Sequence, residues 1–553
     1  KVQVSKPVSA VSGGSKSTVN TSKSNVDFYL IALGIVIFSV LLLRMRLVDI
    51  PLERDEGEYA YLGKLLLEGV PPYKEAYNMK LPGTYVMYAF VMGIFGKSIE
   101  GVHLGLMIMN IGTILLLFFA FRKLFNAAIA LITVSIFGLM SFSPNLLGFA
   151  AHATHFVTFF AAMALFFFSR YRENKSILFA LFTGFSFGMA FLMKQQAVFL
   201  LVFGGIVILS TWLLTKPTSP VKAIIHAGIY SVGGVLPYIL TVLILMAAGV
   251  FDKFWFWTYE YASKYASGVS FEDGKMLFGM SFKPMWEEFR LYWLLFFAGL
   301  VLVFFTKFSL QQKLLAVGFA LFAFLTVVPG FYFRQHYFIP FLPAVGLLAA
   351  ITLNYLETLV VEKANIKAFK YVPFIFVVII SFVVVNSTKA YYLKAKPSQL
   401  SRMIYGTNPF IESVEIAKFI KENSQKEDKI AVLGSEPQIF LYADRNSGSG
   451  YIYTYGLMED HPFNKKMQEE MITEIENSKP KFLVFCRINT SWLARPNSPT
   501  IIFDWFNKYS QENYELVGVA DIVAQNQTNY MWNDDAKRYQ PQGQEYVLIF
   551  KRK

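Results

Sequence analysis

The sequence predicts a polytopic α-helical membrane protein that carries a C-terminal soluble α/β domain. Three observations lead there. Hydrophobic residues make up 55% of the 553 and charged residues only 16%, a balance that excludes an ordinary soluble chain. Apolar runs approaching the roughly 20 residues a bilayer requires recur between residues 27 and 388. Beyond about residue 389 hydropathy falls, and short apolar strands alternate with helical patterns.

Residues 1–25 are rich in Ser, Lys, Thr and Val without apolar periodicity and are expected to form a disordered cytoplasmic tail. The sequence opens on Lys1, not Met, so the start is expected to be processed or trimmed. The first apolar run, Phe28 to Leu43, is not followed by a small-residue cleavage site and reads as an anchor, not a removable signal. Spans are expected near 27–46, 100–121, 126–143, 154–169, 176–193, 197–214, 223–249, 291–306, 314–330, 336–353 and 371–388, about eleven in all. Together they delimit a membrane domain over 26–388. Leu81 to Gly96 is shorter and is broken by Pro82, Gly83 and Gly93.

Charge decides how that short segment lies. The net charge of +13 does not point to nucleic acid here, because Lys and Arg concentrate in the loops 122–123, 170–175, 216–222, 307–313 and 363–370. The positive-inside rule places all five in the cytoplasm. With a cytoplasmic N-terminus this holds only if Leu81 to Gly96 does not cross. Leu81 to Gly96 is therefore expected to be an interfacial or re-entrant helix on the outer side, within an outer loop over about 55–96, while Arg44 and Arg46, at the outer end of the first span, run against the scheme. The breaks near 143–155, 193–196 and 331–337 face outward, as does the loop 251–290. An odd number of spans leaves residues 389–553 outside as well. In that part strands are expected at 429–433, 481–485, 515–519 and 546–550, with helices at 409–423 and 463–477. The single cysteine, Cys486, excludes an internal disulfide and any multi-cysteine metal site.

Chemistry concentrates in Glu53-Arg54-Asp55-Glu56-Gly57-Glu58, followed by Asn78-Met79-Lys80-Leu81-Pro82-Gly83. Asp55 beside Glu56 could serve as a general base, since neighbouring carboxylates raise each other's proton affinity; the plainer reading is a pair of helix-capping acids. Lys194 interrupts the apolar passage Phe191 to Val198, where a charge is costly and is usually paired or functional; the alternative is a Lys reaching the interface. Arg334, His336 and Tyr337 offer a cationic fork suited to phosphate, or an interfacial anchor. Lys80 has the same two readings. His152 and His155 are three apart and could share a metal, but no third ligand is evident and no metal is expected. Bases and a carboxylate pair at one membrane face suit a lipid phosphate whose tail stays in the bilayer, with a carboxylate to deprotonate an acceptor from water. That is group transfer.

Arg54-Asp55-Glu56-Gly57-Glu58-Tyr59-Ala60-Tyr61 and Met79-Lys80-Leu81-Pro82-Gly83 resemble the first outer loop of C-type (GT-C) membrane glycosyltransferases. Phe191-Leu192-Met193-Lys194-Gln195 and Arg334-Gln335-His336-Tyr337-Phe338-Ile339-Pro340 resemble later motifs of the bacterial dolichyl-phosphate-mannose–protein mannosyltransferase-like family, which is akin to lipid A aminoarabinose transferases. The resemblance runs to about residue 350. It implies a polyprenyl-phosphate sugar as co-substrate, Asp55 as base with Glu56 beside it, and Lys80, Lys194 and Arg334 as phosphate ligands, with Gln195, His336 and Tyr337 in the same motifs. The family's second acid, in the second outer loop, is replaced by Ala150-Ala151-His152-Ala153-Thr154-His155, so His152 or His155 is expected to orient the acceptor or share the base's role. The expected reaction is an inverting displacement that moves sugar to a hydroxyl of a protein, lipid or glycan. The expected location is a bacterial inner membrane with the C-terminal domain periplasmic. The rival readings are a lipid-linked sugar flippase or transporter and a non-catalytic scaffold; the lack of an evident inverted repeat counts against the transporter.

Overall fold

The structure, a computed structural model, describes residues 21–553. Most of the tail expected over 1–25 lies outside the described residues. Eight helices among the described residues are long and apolar enough to cross a membrane, and four shorter apolar helices accompany them. The chain is thus a multi-pass membrane protein. The first helix, α1 (Thr21–Met45), is followed by α2 (Arg54–Leu67) and α3 (Gly83–Phe95). The bundle continues through α4 (Ile99–Leu124), α5 (Ala127–Met140), α6 (Ala153–Asn174), α7 (Ile177–Met193), α8 (Val198–Leu213) and α9 (Pro220–Ala247). The short α10 (Phe251–Trp255) and α11 (Ala262–Ala266) flank one π-helical turn. Then come α12 (Phe271–Leu302), α13 (Leu310–Leu325), α14 (Leu342–Ala364) and α15 (Val372–Ser387).

Local chemistry starts these helices where they start. Ser98 accepts the Gly101 amide ahead of α4, Asn126 accepts that of Ile129 ahead of α5, and Ser309 with Gln312 forms a capping box on α13, each satisfying amides that have no intrahelical partner. The helices pack in part through small residues. A Cβ on Gly184 would lie 2.0 Å from the Tyr230 carbonyl oxygen, and one on Gly188 2.2 Å from that of Gly234, so α7 and α9 meet backbone to backbone. Side chains such as Phe38, Ile224 and Val378 are exposed, as a surface facing hydrocarbon requires.

The basic loops gather at one end of the bundle. Lys123 pairs with Glu173, Lys175 and Lys222 both lie over the Trp212 ring, Gln312 donates to the Leu124 carbonyl, and Lys307 pairs with Glu362. At the other end α1 finishes and α4 begins, joined by a hydrogen bond of 2.8 Å between His103 Nδ1 and the Val48 carbonyl. The excursion through α2 and α3 therefore leaves and returns on one side. At 13 residues, α3 is about 20 Å long, shorter than the roughly 30 Å of a bilayer's hydrocarbon core. Arg44 is buried here and donates to the carbonyls of Ser141 and Gly148, which explains a positive charge at this end.

Two stretches differ from expectation. Residues 271–290 are not loop but the first part of α12, capped by Ser270 and bent at Phe289. The C-terminal sheet has six strands, not four: β1 (Lys429–Leu433), β2 (Asn446–Ser447), β3 (Phe482–Arg487), β4 (Tyr514–Ala524), β5 (Gln527–Trp532) and β6 (Glu545–Arg552), ordered β2-β1-β3-β6-β4-β5. β2, β1 and β3 run parallel, while β6, β4 and β5 form an antiparallel half. The overlooked strands are a two-residue edge and a half-buried hairpin partner, neither of which carries a run of apolar residues. Phe410–Glu422, Asn464–Ser478 and Ile501–Asn513 are the larger helices of this half. After β1 the chain turns at Gly434, whose φ of 151° is a glycine conformation. It then enters the short helix α16 (Gln438–Ala443), which lies against α2.

Candidate active site

The site is built on α2, and both faces of that helix are committed. Glu53 caps the Glu56 amide while the Glu56 carboxylate returns to the Glu53 amide, a reciprocal capping box. One face docks on the C-terminal domain. Arg54 donates to the Ser435 carbonyl at 2.6 Å, to Asn408 Oδ1 at 3.0 Å and to Tyr455 Oη at 2.9 Å, and pairs with Glu436 at 2.8 Å. Tyr61 Oη accepts the Ser447 amide at 2.7 Å. A Cβ on Gly57 would fall 2.6 Å from the Gln438 nitrogen, so only glycine allows this approach.

The other face carries Asp55 and Glu58 toward Lys80, whose ammonium lies 3.3 Å from Asp55 Oδ1 and 3.1 Å from Glu58 Oε2. Burial acts to raise the proton affinity of Asp55, but Lys80, with His152 and Arg334, outweighs it and holds the carboxyl below its usual range. Burial wins at Glu58, which is pushed up to about 7. Two carboxylates sharing one ammonium are thereby driven apart in pKa, the mark of a site able to hold one base and one acid near neutrality.

Glu56, expected beside Asp55 as a second catalytic group, is placed elsewhere. Its carboxylate is buried against His103 Nε2 at 3.0 Å and the Ala151 amide at 2.6 Å, and it lines neither of the cavities described next. About 100° of rotation per residue separates neighbours on a helix, so Asp55 and Glu56 cannot face the same space. Glu58 was overlooked, although its spacing of three from Asp55 puts it on the same face.

Two cavities meet at Asp55. The first, about 330 Å³, is lined by Asp55, Glu58, Lys80, His152, Arg334 and several residues of the C-terminal domain. The second, about 380 Å³, is more apolar and lies among Tyr59, Met193, Lys194, Gln195, Tyr259 and Pro329. Asp55, Met79, Lys80, Tyr265, His336 and Tyr337 line both. The motifs converge physically: Thr84 Oγ1 donates to the Met193 carbonyl at 2.9 Å, and Gln195 Nε2 to that of Met79 at 3.1 Å. Lys194 sits 3.2 Å from the centre of the Tyr337 ring. Among the described residues, neither Lys194 nor Arg334 has a carboxylate within ion-pair distance. Lys80 differs from them in already serving two acids, and Arg334 lines the first cavity, not the second.

The two outer-loop histidines separate. His155 is buried toward Asn110 on α4, 3.5 Å away, and lines neither cavity. His152 stacks on His336 with ring centres 3.8 Å apart, and neither of its ring nitrogens has a hydrogen-bond partner. Burial lowers its pKa to about 4, which leaves the ring neutral near pH 7. Asp55, His152 and His336 each bring one ligand atom within 4.8 Å of the others, a spacing compatible with a divalent ion. His336 is the member of this group that sequence spacing did not reveal.

A multi-pass bundle with helices folded at one membrane face, beneath an appended α/β domain and with an acid where two cavities meet, is the GT-C architecture. Two solved structures share it along nearly the whole chain. ArnT from Cupriavidus metallidurans, bound to undecaprenyl phosphate, aligns with a TM-score of 0.57 and 14% identity over 96% of this chain and 98% of its own. The archaeal oligosaccharyltransferase AglB from Archaeoglobus fulgidus, in complex with an inhibitory peptide and a dolichol-phosphate, aligns with a TM-score of 0.53 and 12% identity over 93% and 75%. Residues 80–248 match the family model of dolichyl-phosphate-mannose-protein mannosyltransferase. No curated protein matches it in sequence.

Proposed function

We propose that the protein is an integral membrane glycosyltransferase that moves a sugar from a polyprenyl-phosphate donor to an acceptor hydroxyl at the outer face of a bacterial inner membrane. The observation that carries this reading is the position of Asp55 on the seam between an apolar cavity holding an unpaired lysine and a polar cavity beneath the C-terminal domain. A family match over 80–248 and a fold shared with proteins solved with lipid phosphates support it.

In this reading the donor phosphate rests near Lys194 at the apolar cavity, with its hydrocarbon tail continuing into the bilayer. The acceptor occupies the polar cavity. Asp55 takes the hydroxyl proton as the oxygen attacks the anomeric carbon. The bond from that carbon to the phosphate oxygen breaks, its electron pair leaves on the lipid phosphate, and the configuration inverts. Lys194 and Arg334 meet the charge that develops on the leaving group, preorganised cations at such a position typically supplying a few kcal/mol each. Lys80 keeps Asp55 ionised, and Glu56 acts through the α2 N-terminus as a positioning residue.

The test is Asp55→Asn, followed by mass spectrometry of glycolipids and glycoproteins from cells carrying either form. A positioned base contributes roughly 10²–10⁴-fold, so product should fall by that order while undecaprenyl phosphate still binds the purified protein. A flippase would go on moving lipid after this substitution, and a scaffold would tolerate it.

A further inference from the structure

We infer that the polar cavity receives an uncharged saccharide, so that the hydroxyl presented to Asp55 belongs to a glycan. This deepens the transferase reading and rests on it for the chemistry that follows binding. The new bond would be a glycosidic C–O bond between two sugars, with the proton passing to Asp55 and the lipid phosphate leaving as above.

Aromatic side chains make up much of the wall. Tyr405, Phe410, Tyr453 and Tyr455 come from the C-terminal part and Trp257 and Tyr265 from the membrane part. A pyranose presents a face of C–H bonds with slight positive charge, and aromatic faces are negative at their centres, so rings of this kind stack on sugars. A serine or threonine side chain has no surface to match them.

The polar atoms left free suit hydroxyl groups. Tyr405 Oη and Glu58 Oε1 are buried without a hydrogen-bond partner among the described residues, and both residues line the cavity. A buried polar atom left unpaired in the protein is costly, and a ligand bearing both donors and acceptors relieves that cost. Both residues belong to the same cavity wall as the aromatic side chains, so a polyhydroxylated ring bound there is the nearest source of partners for these two atoms.

Charge argues against a phosphorylated acceptor. The cavity holds Arg54, Lys80 and Arg334, but Arg54 is tied to Glu436 and Lys80 to Asp55 and Glu58. Glu53 and Glu459 add further carboxylates to the wall. That leaves Arg334, and in the transferase reading it meets the donor's leaving phosphate, so no further cation in this wall is free for a second phosphate. Geometry argues against a peptide bound by adding a strand to a sheet edge. The C-terminal part of the cavity wall comes from residues 404–410 and 451–459, not from an edge strand. The edge strand β2 has only two residues, and its Ser447 amide is already donated to Tyr61.

The experiment uses the full chain in lipid nanodiscs and saturation-transfer NMR. The probes are neutral oligosaccharides ending in glucose, galactose, mannose or N-acetylglucosamine, the mannose 6-phosphate-ended counterpart, and a Ser/Thr-rich peptide. At least one neutral saccharide should bind. Tyr405→Phe, which removes only an oxygen without a hydrogen-bond partner among the described residues, should weaken it by about tenfold, as should Tyr453→Ala. Asp55→Asn should leave binding unchanged while abolishing transfer. Absence of any neutral-saccharide signal up to about 10 mM, or binding of the peptide or the phosphorylated sugar alone, overturns the inference. Persistence of transfer in Asp55→Asn would instead overturn the catalytic reading and leave the saccharide site standing.

Discussion

Arg54, the residue before the proposed base, is held by Glu436, which lies 382 positions later at a distance of 2.8 Å. Glu436 is itself fully buried and accepts the Ser491 hydroxyl through its other oxygen. The C-terminal domain is thereby fastened to the helix that presents Asp55. Removing one member of a buried pair leaves the other unpaired, typically at a cost of about 3–5 kcal/mol. Glu436→Ala should therefore lower the thermal unfolding midpoint in detergent markedly. Changing both partners, Arg54→Met with Glu436→Met, should recover much of the loss. Equal loss in the single and double variants would show that the pair does not work as a unit.

With Asp55 as the proposed base, Lys80 should set the acid limit of activity. Its ammonium holds Asp55 below the usual carboxylate range against the opposing effect of burial. A carboxylate of depressed pKa stays ionised until the pH falls through that value, so activity should be level near neutrality and fail only in acid. Lys80→Met leaves burial opposed only by His152 and Arg334. The acid limb of the pH–rate profile should then move toward neutral by about one unit or more. A limb that does not move would separate Lys80 from the base.

Glu58 should leave its mark on stability instead. Its folded pKa of about 7 lies above the ordinary value of 4.5, so the folded state binds this proton more tightly than the unfolded chain does. By linkage the contribution of this group is full below pH 4.5 and is lost as pH rises toward and through about 7. Glu58→Gln should remove that decline from a plot of unfolding midpoint against pH. A wild-type curve that matches the variant between those values would refute the assignment.

The parts of the site that sequence reasoning reached were those where a charge stands against hydrocarbon. Asp55, Lys80, Lys194 and Arg334 were legible because a charge at the bilayer edge must be paired or used, and the positive-inside rule placed them at one end. What escaped was orientation and tertiary docking. Glu56 and Glu58 differ from Asp55 only in rotation about α2, and the helix is rotated by contacts with residues 435–447 that no local pattern announces. Tyr405 and Tyr453 were missed for the same reason, since an aromatic in a soluble domain is ordinarily core. In the sheet, β5 lacked the apolar run that marked β1 and β3. The first part of α12 was read as loop because its charges and Pro284 hide a helix that continues into the bilayer.

Lys194 gives the sharpest test of the donor side. It lines the apolar cavity and not the polar one, rests over the Tyr337 ring, and lies among residues with no carboxylate in ion-pair range. Burial, with Lys80 nearby, lowers the proton affinity of this lysine, and an anion arriving beside it would restore the charge, which the ring's negative face also favours. A charge-assisted contact to phosphate contributes about 1.5–3 kcal/mol, which is roughly a tenfold to hundredfold change in affinity. Lys194→Met keeps the length of the side chain and its packing on Tyr337 but removes the charge. Undecaprenyl phosphate should then bind the purified protein about tenfold or more weakly, while the unlinked prenol, which has no phosphate, should bind both forms alike. Lys194→Arg should retain part of the affinity, because the charge persists on a broader head. If phosphate and prenol lose affinity together, the lysine is packing the cavity wall and the donor phosphate is held by other groups.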